Sequence, residues 1–456
     1  MSAAPQLSPE PGIQAVETSL APSRTANRIL YGLSGLLMFC VLAFGGREHW
    51  PLFIWQSGTA VLLAVWAVDQ LRSERVRVQW NPLFAPMLAF ALVLIMQLLP
   101  GGSSYWHATY TQALQFASYG ICCFLVVQTL TRNRQVRKLG VGLTIFGAGV
   151  AVFAVLQNLS SPTTLYWLQA SQFGARVYGP YVNHNHYAGL MEMLVPVPLV
   201  FAFSRFAHQR ERWIAASAAA FMSATIFLSG SRGGMIALVV EVAVFTIFVF
   251  RERQQKNVGL LLSAFLLILL GVIAWTGGHE VKERLATLAP TRESDLSSDT
   301  RLQIDHDILK MVWAHPLLGW GEGTFAEVYP RFRSFYTDSL VNAAHNDYLQ
   351  ALVETGILGF AVVIWFLVAG IRRALRKTEK WASNLNGAVA LAAVLGITGI
   401  LVHSFVDFNL QIPANAALFY SLCTLAAMEP RFSTHRREHR KLKEDIPVAE
   451  LARTTA

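Results

Sequence analysis

The chain has 456 residues, of which 54% are hydrophobic and 14% charged, and its mean hydropathy is +0.40. That balance excludes a soluble globular protein of this length and implies a polytopic membrane protein. The formal charge of +9 would suit nucleic acid, but the basic residues recur in short clusters between apolar runs, which is a signal of topology, and no nucleic-acid partner is expected.

Residues 1–27 form a polar, Pro- and Ser-containing stretch read as a disordered cytoplasmic tail. The first apolar run begins near Ile29 and leads into no small-residue cleavage site, so no cleavable signal peptide is expected. Runs long enough to cross roughly 30 Å of hydrocarbon follow near 29–45, 52–70, 82–99, 112–131, 139–157, 186–204, 213–229, 233–250, 258–276, 356–371, 385–403 and 413–428. The expected fold is therefore all-α, a polytopic membrane protein of about twelve transmembrane helices over 28–428, with a long helical loop at 277–345 and a basic cytoplasmic tail at 429–456. Cys40, Cys122, Cys123 and Cys423 all fall in apolar runs without disulfide or metal-ligand spacing.

With a cytoplasmic N-terminus, 27 of the 37 Lys and Arg residues lie on inside segments. In the short loops the balance is 20 inside, before the tail, against three outside, which sets both termini in the cytoplasm. Residues 158–185, the turn at 229–232, the loop 277–345 and the turn at 404–412 then all open on the external side.

In the long loop, Ile304, Ile308, Met311, Val312 and His315 recur at helical intervals from Thr300, with Asp299 near the start and His315-Pro316 at the end. This predicts an amphipathic helix on the outer membrane surface or over a cavity. Gly319-Trp320-Gly321-Glu322-Gly323 reads as a turn-rich segment whose glycines let its backbone approach a ligand or another helix. A second helix from Asn346, with Leu349, Leu352 and Val353 on one face, runs toward the span near Gly356.

Several outward-opening stretches carry side chains suited to chemistry. Arg232, in Ser229-Gly230-Ser231-Arg232-Gly233-Gly234, fits a phosphate or pyrophosphate through bidentate hydrogen bonds beside open glycine amides, or lipid headgroups by snorkelling. Arg176 to Tyr187 is dense in aromatic and amide groups of the kind sugar rings pack against, and makes Arg176, Asn183, His184 and His186 candidate glycan or acceptor contacts. His184 and His186 serve equally well as helix-start anchors, and no further ligand completes a metal shell. Arg301 lies at the start of a helix, where a cation is disfavoured unless an anion is present, although Asp299 or Asp305 would also pair with it. His345, with Asp347 two residues on, is able to accept a proton near neutrality and is the candidate base, and Tyr348 beyond it is, with Asp407, a further candidate glycan or acceptor contact. Asp407, in His403-Ser404-Phe405-Val406-Asp407, orients a histidine, pairs with an arginine or caps the last span. Glu192 and Glu241 fall inside predicted spans, where a carboxylate is expensive.

These motifs together resemble the O-antigen ligase and polymerase superfamily. The matching pieces are Gly179 to His186, Ser231-Arg232-Gly233-Gly234, His315 to Gly323, Ala344-His345-Asn346-Asp347-Tyr348-Leu349, Glu354 to Gly359 and His403 to Asp407, so the resemblance covers about 176–412. It implies a GT-C-like glycosyltransferase of the bacterial inner membrane with a periplasmic site. The donor implied is an undecaprenyl-pyrophosphate-linked glycan and the acceptor lipid A core or another glycan. By the same resemblance Arg232 and Arg301 hold the pyrophosphate, Arg292 competes with Arg301 for that role, and His345 positions or deprotonates the acceptor hydroxyl for an inverting attack. No metal or other cofactor is expected. A polymerase of repeat units and a ligase for a protein acceptor fit the same motifs, and a lipid-linked-sugar transporter would instead depend on Glu192 and Glu241.

Overall fold

The computed structural model describes residues 24–73, 78–170, 177–252, 267, 298–336 and 341–428. The helices are α1 (Arg24–Leu42), α2 (His49–Arg72), α3 (Phe84–Leu98), α4 (Trp106–Thr129), α5 (Asn133–Ser160), α6 (His184–Leu194) and α7 (Pro196–Phe203). They continue as α8 (Gln209–Ser229), α9 (Arg232–Arg251), α10 (Ser298–Ala314), α11 (Phe325–Val328), α12 (Asp347–Lys377), α13 (Leu385–His403) and α14 (Pro413–Ala427). Apart from these, Thr164–Leu165 and Gln169–Ala170 pair as a small antiparallel hairpin.

Among the described residues nine helical segments are long and apolar enough to cross a membrane, α6 and α7 counting as one. Of the twelve expected spans, the one near 258–276 lies, apart from Leu267, outside the described residues, and those near 82–99 and 413–428 are helices of only 15 residues. Helix α1 starts at Arg24, so the last residues of the expected tail are helical. Asn27 there accepts a hydrogen bond from Gln135 Nε2 at 2.8 Å, which gives that polar turn a reason to be ordered.

The apolar residues face both ways, as a lipid solvent allows. On α5, Val141, Ile145, Val152, Leu156 and Leu159 form an outward stripe and are exposed, while Leu143, Val150 and Ala154 are buried. The innermost helices carry small residues instead. Ala215, Ala216, Ala219, Ala220 and Ala224 of α8 and Gly387, Ala390, Gly396 and Gly399 of α13 are buried, which lets backbones approach closely where no hydrophobic drive separates protein from lipid. A Cβ on Gly396 would stand 3.1 Å from Met193 Cα, so α13 and α6 are in near-backbone contact.

The predicted amphipathic helix is α10, ending just before His315-Pro316 as expected. Its Ile304, Ile308 and Met311 form a separate small core with Phe325, Val328, Tyr329, Val341, Ala344 and Val353. Asp307 fastens that unit, accepting from Lys310 Nζ at 3.0 Å and from Ser334 N and Oγ at 2.8 and 3.0 Å.

Helix α12 breaks at Gly356, whose φ of 63° and ψ of −171° are open only to glycine. The break frees backbone groups, and the glycine-rich segment takes them up. Trp320 N and Gly321 N donate to the carbonyls of Val353 and Glu354 at 3.1 and 3.0 Å, while Ile357 N and Leu358 N donate to Pro316 O and Leu317 O at 2.8 and 3.2 Å. Of the two partners the sequence left open for these glycines, the structure gives another helix. Gln97 of α3 locks the junction by donating to Leu318 O and Glu354 O at 2.7 and 2.8 Å.

Candidate functional site

Three local folds meet at one end of the bundle. At the C-terminus of α13 the chain tightens into a turn in which Val406 N and Asp407 N both donate to His403 O. At the N-terminus of α6, Asn183 Oδ1 caps the helix by accepting from Asn185 N at 2.8 Å, and His186 follows in the first turn. At the N-terminus of α12, Asn346 Oδ1 accepts from Tyr348 N and Leu349 N, and His345 sits just before that cap with a φ of 52°. A left-handed histidine costs of order 1–3 kcal/mol and persists only where its surroundings hold it. Here they do so through Asp347, whose N donates to Ser404 O and whose Oδ2 accepts from Ser404 Oγ at 2.8 Å and Leu410 N at 3.2 Å.

The result is a buried carboxylate facing three imidazoles. Asp407 Oδ1 lies 3.9 Å from His345 Nδ1 and 4.0 Å from His186 Nε2, and Oδ2 lies 4.0 Å from His403 Nε2. The Phe408 ring meets both His186 and His345 edge-on at 4.9 Å. Burial alone would raise the proton affinity of Asp407, but the facing His186, His403 and His345, with the Phe408 amide at 2.8 Å, hold its carboxyl below the usual range. His345 keeps 21% of its side chain exposed whereas His186 and His403 are enclosed, so His345 is the ring a second molecule can reach.

Behind the cluster, His403 Nδ1 is 2.8 Å from Glu192 Oε1 of α6, and Ser231 Oγ is 3.5 Å from His403 Nε2. Ser231 also caps α9 by accepting from Gly234 N at 3.1 Å. A Cβ on Gly233 would lie 2.5 Å from His403 Cδ2, so the first turn of α9 is pressed against that ring. Arg232 is its first residue and is exposed. A guanidinium at a helix N-terminus adds to the positive end of the dipole and favours an anion there.

The structure thus brings His345, His186 and Asp407 together, with Arg232 adjoining. Asn183 caps α6 with its side-chain oxygen, and His184 is buried at the start of that helix. Tyr348 Oη donates to Leu401 O at 2.7 Å and its ring packs on Phe405 at 4.5 Å. Arg301 is in the first turn of α10, but its side chain, like Arg176 and Arg292, lies outside the described residues. Among the described residues no group of three or more His, Cys, Asp or Glu side chains is set to hold a metal ion.

Sequence reasoning missed two features. The Glu192–His403 pair joins residues 211 positions apart, which no local pattern reveals. Arg47 follows a loop, Phe44–Gly46, in which Gly45 and Gly46 have φ of 72° and 76°; a Cβ on Gly45 would lie 2.6 Å from Tyr181 Cε1, and the charge of Arg47 reaches His186. The count leaving three basic residues in the short outer loops held the signal, since Arg47 is one of them.

An apolar cavity of about 800 Å³ opens between α2, α3, α4, α12 and α14, lined by Phe90, Phe116, Tyr119, Phe366 and Tyr420. Its lining also includes Trp80, Glu322, and Asp347 and Ser404, the two residues that stitch α12 to the α13–α14 turn.

Apolar helices around an enclosed carboxylate–histidine cluster, with a lipid-sized cavity bounded by Asp347 and Ser404, define a polytopic membrane protein that concentrates its polar chemistry at one end of the bundle. Residues 217–364 match the family model described as O-antigen ligase, which supports the resemblance to the O-antigen ligase and polymerase superfamily. The matched region carries Arg232, Arg301 and His345, while Glu192, His403 and Asp407 lie outside it. An uncharacterized protein of Haemophilus influenzae is 24% identical over 196 residues, 40% of this chain; the chain spans about half the length of that curated relative, 47%.

Proposed function

We propose that this protein transfers a glycan from an undecaprenyl-pyrophosphate carrier to an acceptor hydroxyl on the periplasmic face of the bacterial inner membrane, as an O-antigen ligase acting on lipid A core. The observation that carries this reading is the apolar cavity ending at Asp347 and Ser404, beside His345 and Asp407. A cavity so apolar suits a polyprenyl tail, and its polar end suits the headgroup chemistry. The family match supports a lipid-linked glycan as donor.

In this reading Arg232 and the N-terminus of α9, with Arg301 from α10, hold the pyrophosphate and stabilise the charge that develops on it. His345 accepts the proton of the acceptor hydroxyl, whose oxygen forms a bond to the anomeric carbon from the face opposite the pyrophosphate. The bond from that carbon to the pyrophosphate oxygen breaks, the configuration inverts, and the carrier leaves as undecaprenyl pyrophosphate. Asp407 stabilises the imidazolium that forms on His345, and the arginines supply the positive charge, so the step is written without a metal.

The test is transfer by the purified protein in liposomes with an undecaprenyl-pyrophosphate oligosaccharide, with and without lipid A core, read on a gel. Product that needs the lipid acceptor supports the ligase. A ladder of longer carrier-linked chains without added acceptor replaces it with a polymerase, modification of an added acceptor protein replaces it with a protein ligase, and carrier flipping without bond formation replaces it with a transporter.

A further inference from the structure

We propose that Glu192 and His403 are positioning residues for the transfer step: their buried pair fixes the ring that faces Asp407 and thereby sets the proton affinity of His345. The proposal rests on the functional reading above for its kinetic consequence only.

Glu192 and His403 are 0% and 1% exposed, deep among apolar helices, and their atoms approach to 2.8 Å. Burying a carboxylate and an imidazole costs free energy that apolar residues of similar volume would not, and a fold does not need such a pair for packing. The surroundings are shaped around it. A Cβ on Gly234 would lie 3.1 Å from Glu192 Oε1, and Gly399 has no Cβ where Glu241 lies against α13. Among the described residues Glu192 Oε2 has no hydrogen-bond partner, so the charge of Glu192 is not spread over other donors and bears on His403.

The other ring nitrogen of His403, Nε2, looks to Asp407 at 4.0 Å, and Asp407 in turn looks to His345 at 3.9 Å. The groups that act on this line are His186 and Glu192 from α6, the Ser231 cap and Glu241 from α9, Asp347 from α12, and the charge of Arg47 through His186. With Glu192 ionised, His403 can carry a proton and presents a cation to Asp407 and, beyond it, to His345. Without that counter-charge a buried imidazole stays neutral. The lost cation is nearer to Asp407 than the lost carboxylate, so its removal dominates and both Asp407 and His345 bind protons more tightly. Glu192→Gln therefore moves the acid limb of the rate profile to higher pH, whereas loss of a merely structural contact would not.

The experiment compares wild type, Glu192→Gln and Glu192→Asp in two measurements. Diethyl pyrocarbonate acylates the unprotonated imidazole, so peptide-resolved labelling of His345 against pH gives its midpoint without requiring turnover. The expected midpoint in Glu192→Gln is about half to one pH unit above wild type, a roughly threefold to tenfold gain in proton affinity, and Glu192→Asp returns it toward wild type. Transfer in liposomes is expected to fall by the same roughly threefold to tenfold on the acid limb of the kcat profile and little on its plateau, with KM unchanged. If Glu192→Gln does not fold, His403→Gln removes the same cation while still donating to Glu192, and the same upward shift is expected. A midpoint that stays at the wild-type value overturns the proposal even if kcat falls. A shifted midpoint in a protein whose wild type transfers no glycan leaves the coupling standing and removes the functional reading instead.

Discussion

Replacing Asp407 with Asn removes the one charge that faces all three imidazoles while preserving shape. The side chain keeps an oxygen for the Phe408 amide, now at 2.8 Å, so the turn after α13 should survive. What disappears is attraction for the proton His345 takes up: at 3.9 Å, with an effective dielectric of about 20, two unit charges interact by about 4 kcal/mol. Proton transfer is incomplete in the transition state, so between half and all of that energy is lost there, and kcat is expected to fall roughly 30- to 1,000-fold. The assay is glycan transfer in liposomes at saturating donor, with melting measured in the same detergent before reconstitution. A variant that melts like wild type and retains wild-type kcat would refute the view that Asp407 stabilises a charged His345.

Gly120 faces the cavity, and a Cβ there meets nothing nearer than Met87 Cε at 4.0 Å. Gly120→Phe should fold normally and displace about 60 Å² of tail contact, about 1.5 kcal/mol, raising KM for a long-chain donor about tenfold; an unchanged KM would sever the cavity from the carrier. Gly356→Ala should destabilise by about 2 kcal/mol or more, because a Cβ at its φ of 63° would meet Leu317 C at 2.5 Å; a melting curve identical to wild type would show that the break is not needed. Glu322 is buried and, with Glu354 adding to the effect of burial, its carboxyl is held well above the usual value of 4.5. The folded state then binds the proton more tightly than the unfolded chain, so this group's contribution is most favourable below pH 4.5 and declines as pH rises from there toward the folded value. Glu322→Gln should raise the melting temperature at pH 8 and leave it nearly unchanged at pH 4, and an equal change at both would count against a titrating group.

Much of the architecture was legible because a lipid solvent writes it into local composition. The apolar runs gave most of the helices, and the i, i+3, i+4 spacing of Ile304, Ile308 and Met311 gave α10 with its end at His315-Pro316. The Asn346 cap and the Gly356 boundary were likewise local signals. Asn183 was not separable from a glycan ligand by sequence, since a capping amide and a sugar-binding amide use the same atoms. The structure shows its oxygen capping α6 through Asn185 N. Glu192 and Glu241 read as equivalent intramembrane carboxylates, and only the fold distinguishes them: Glu192 meets His403, while Glu241 has no hydrogen-bond partner among the described residues.

The sequence by itself determined that this chain crosses a membrane many times, that polar motifs punctuate its helices, and that His345, Arg232 and Asp407 belong to such motifs. Those properties depend on composition and on spacing within a few residues, where the periods of the backbone apply. The tertiary structure decided which motifs meet. Asp407 comes to stand between His186, His345 and His403 because Asp347 ties α12 to the α13–α14 turn and because small residues let α6, α9 and α13 pack at near-backbone distance. Such convergence is set by the packing of helices far apart in the chain, and a one-dimensional pattern carries no trace of it.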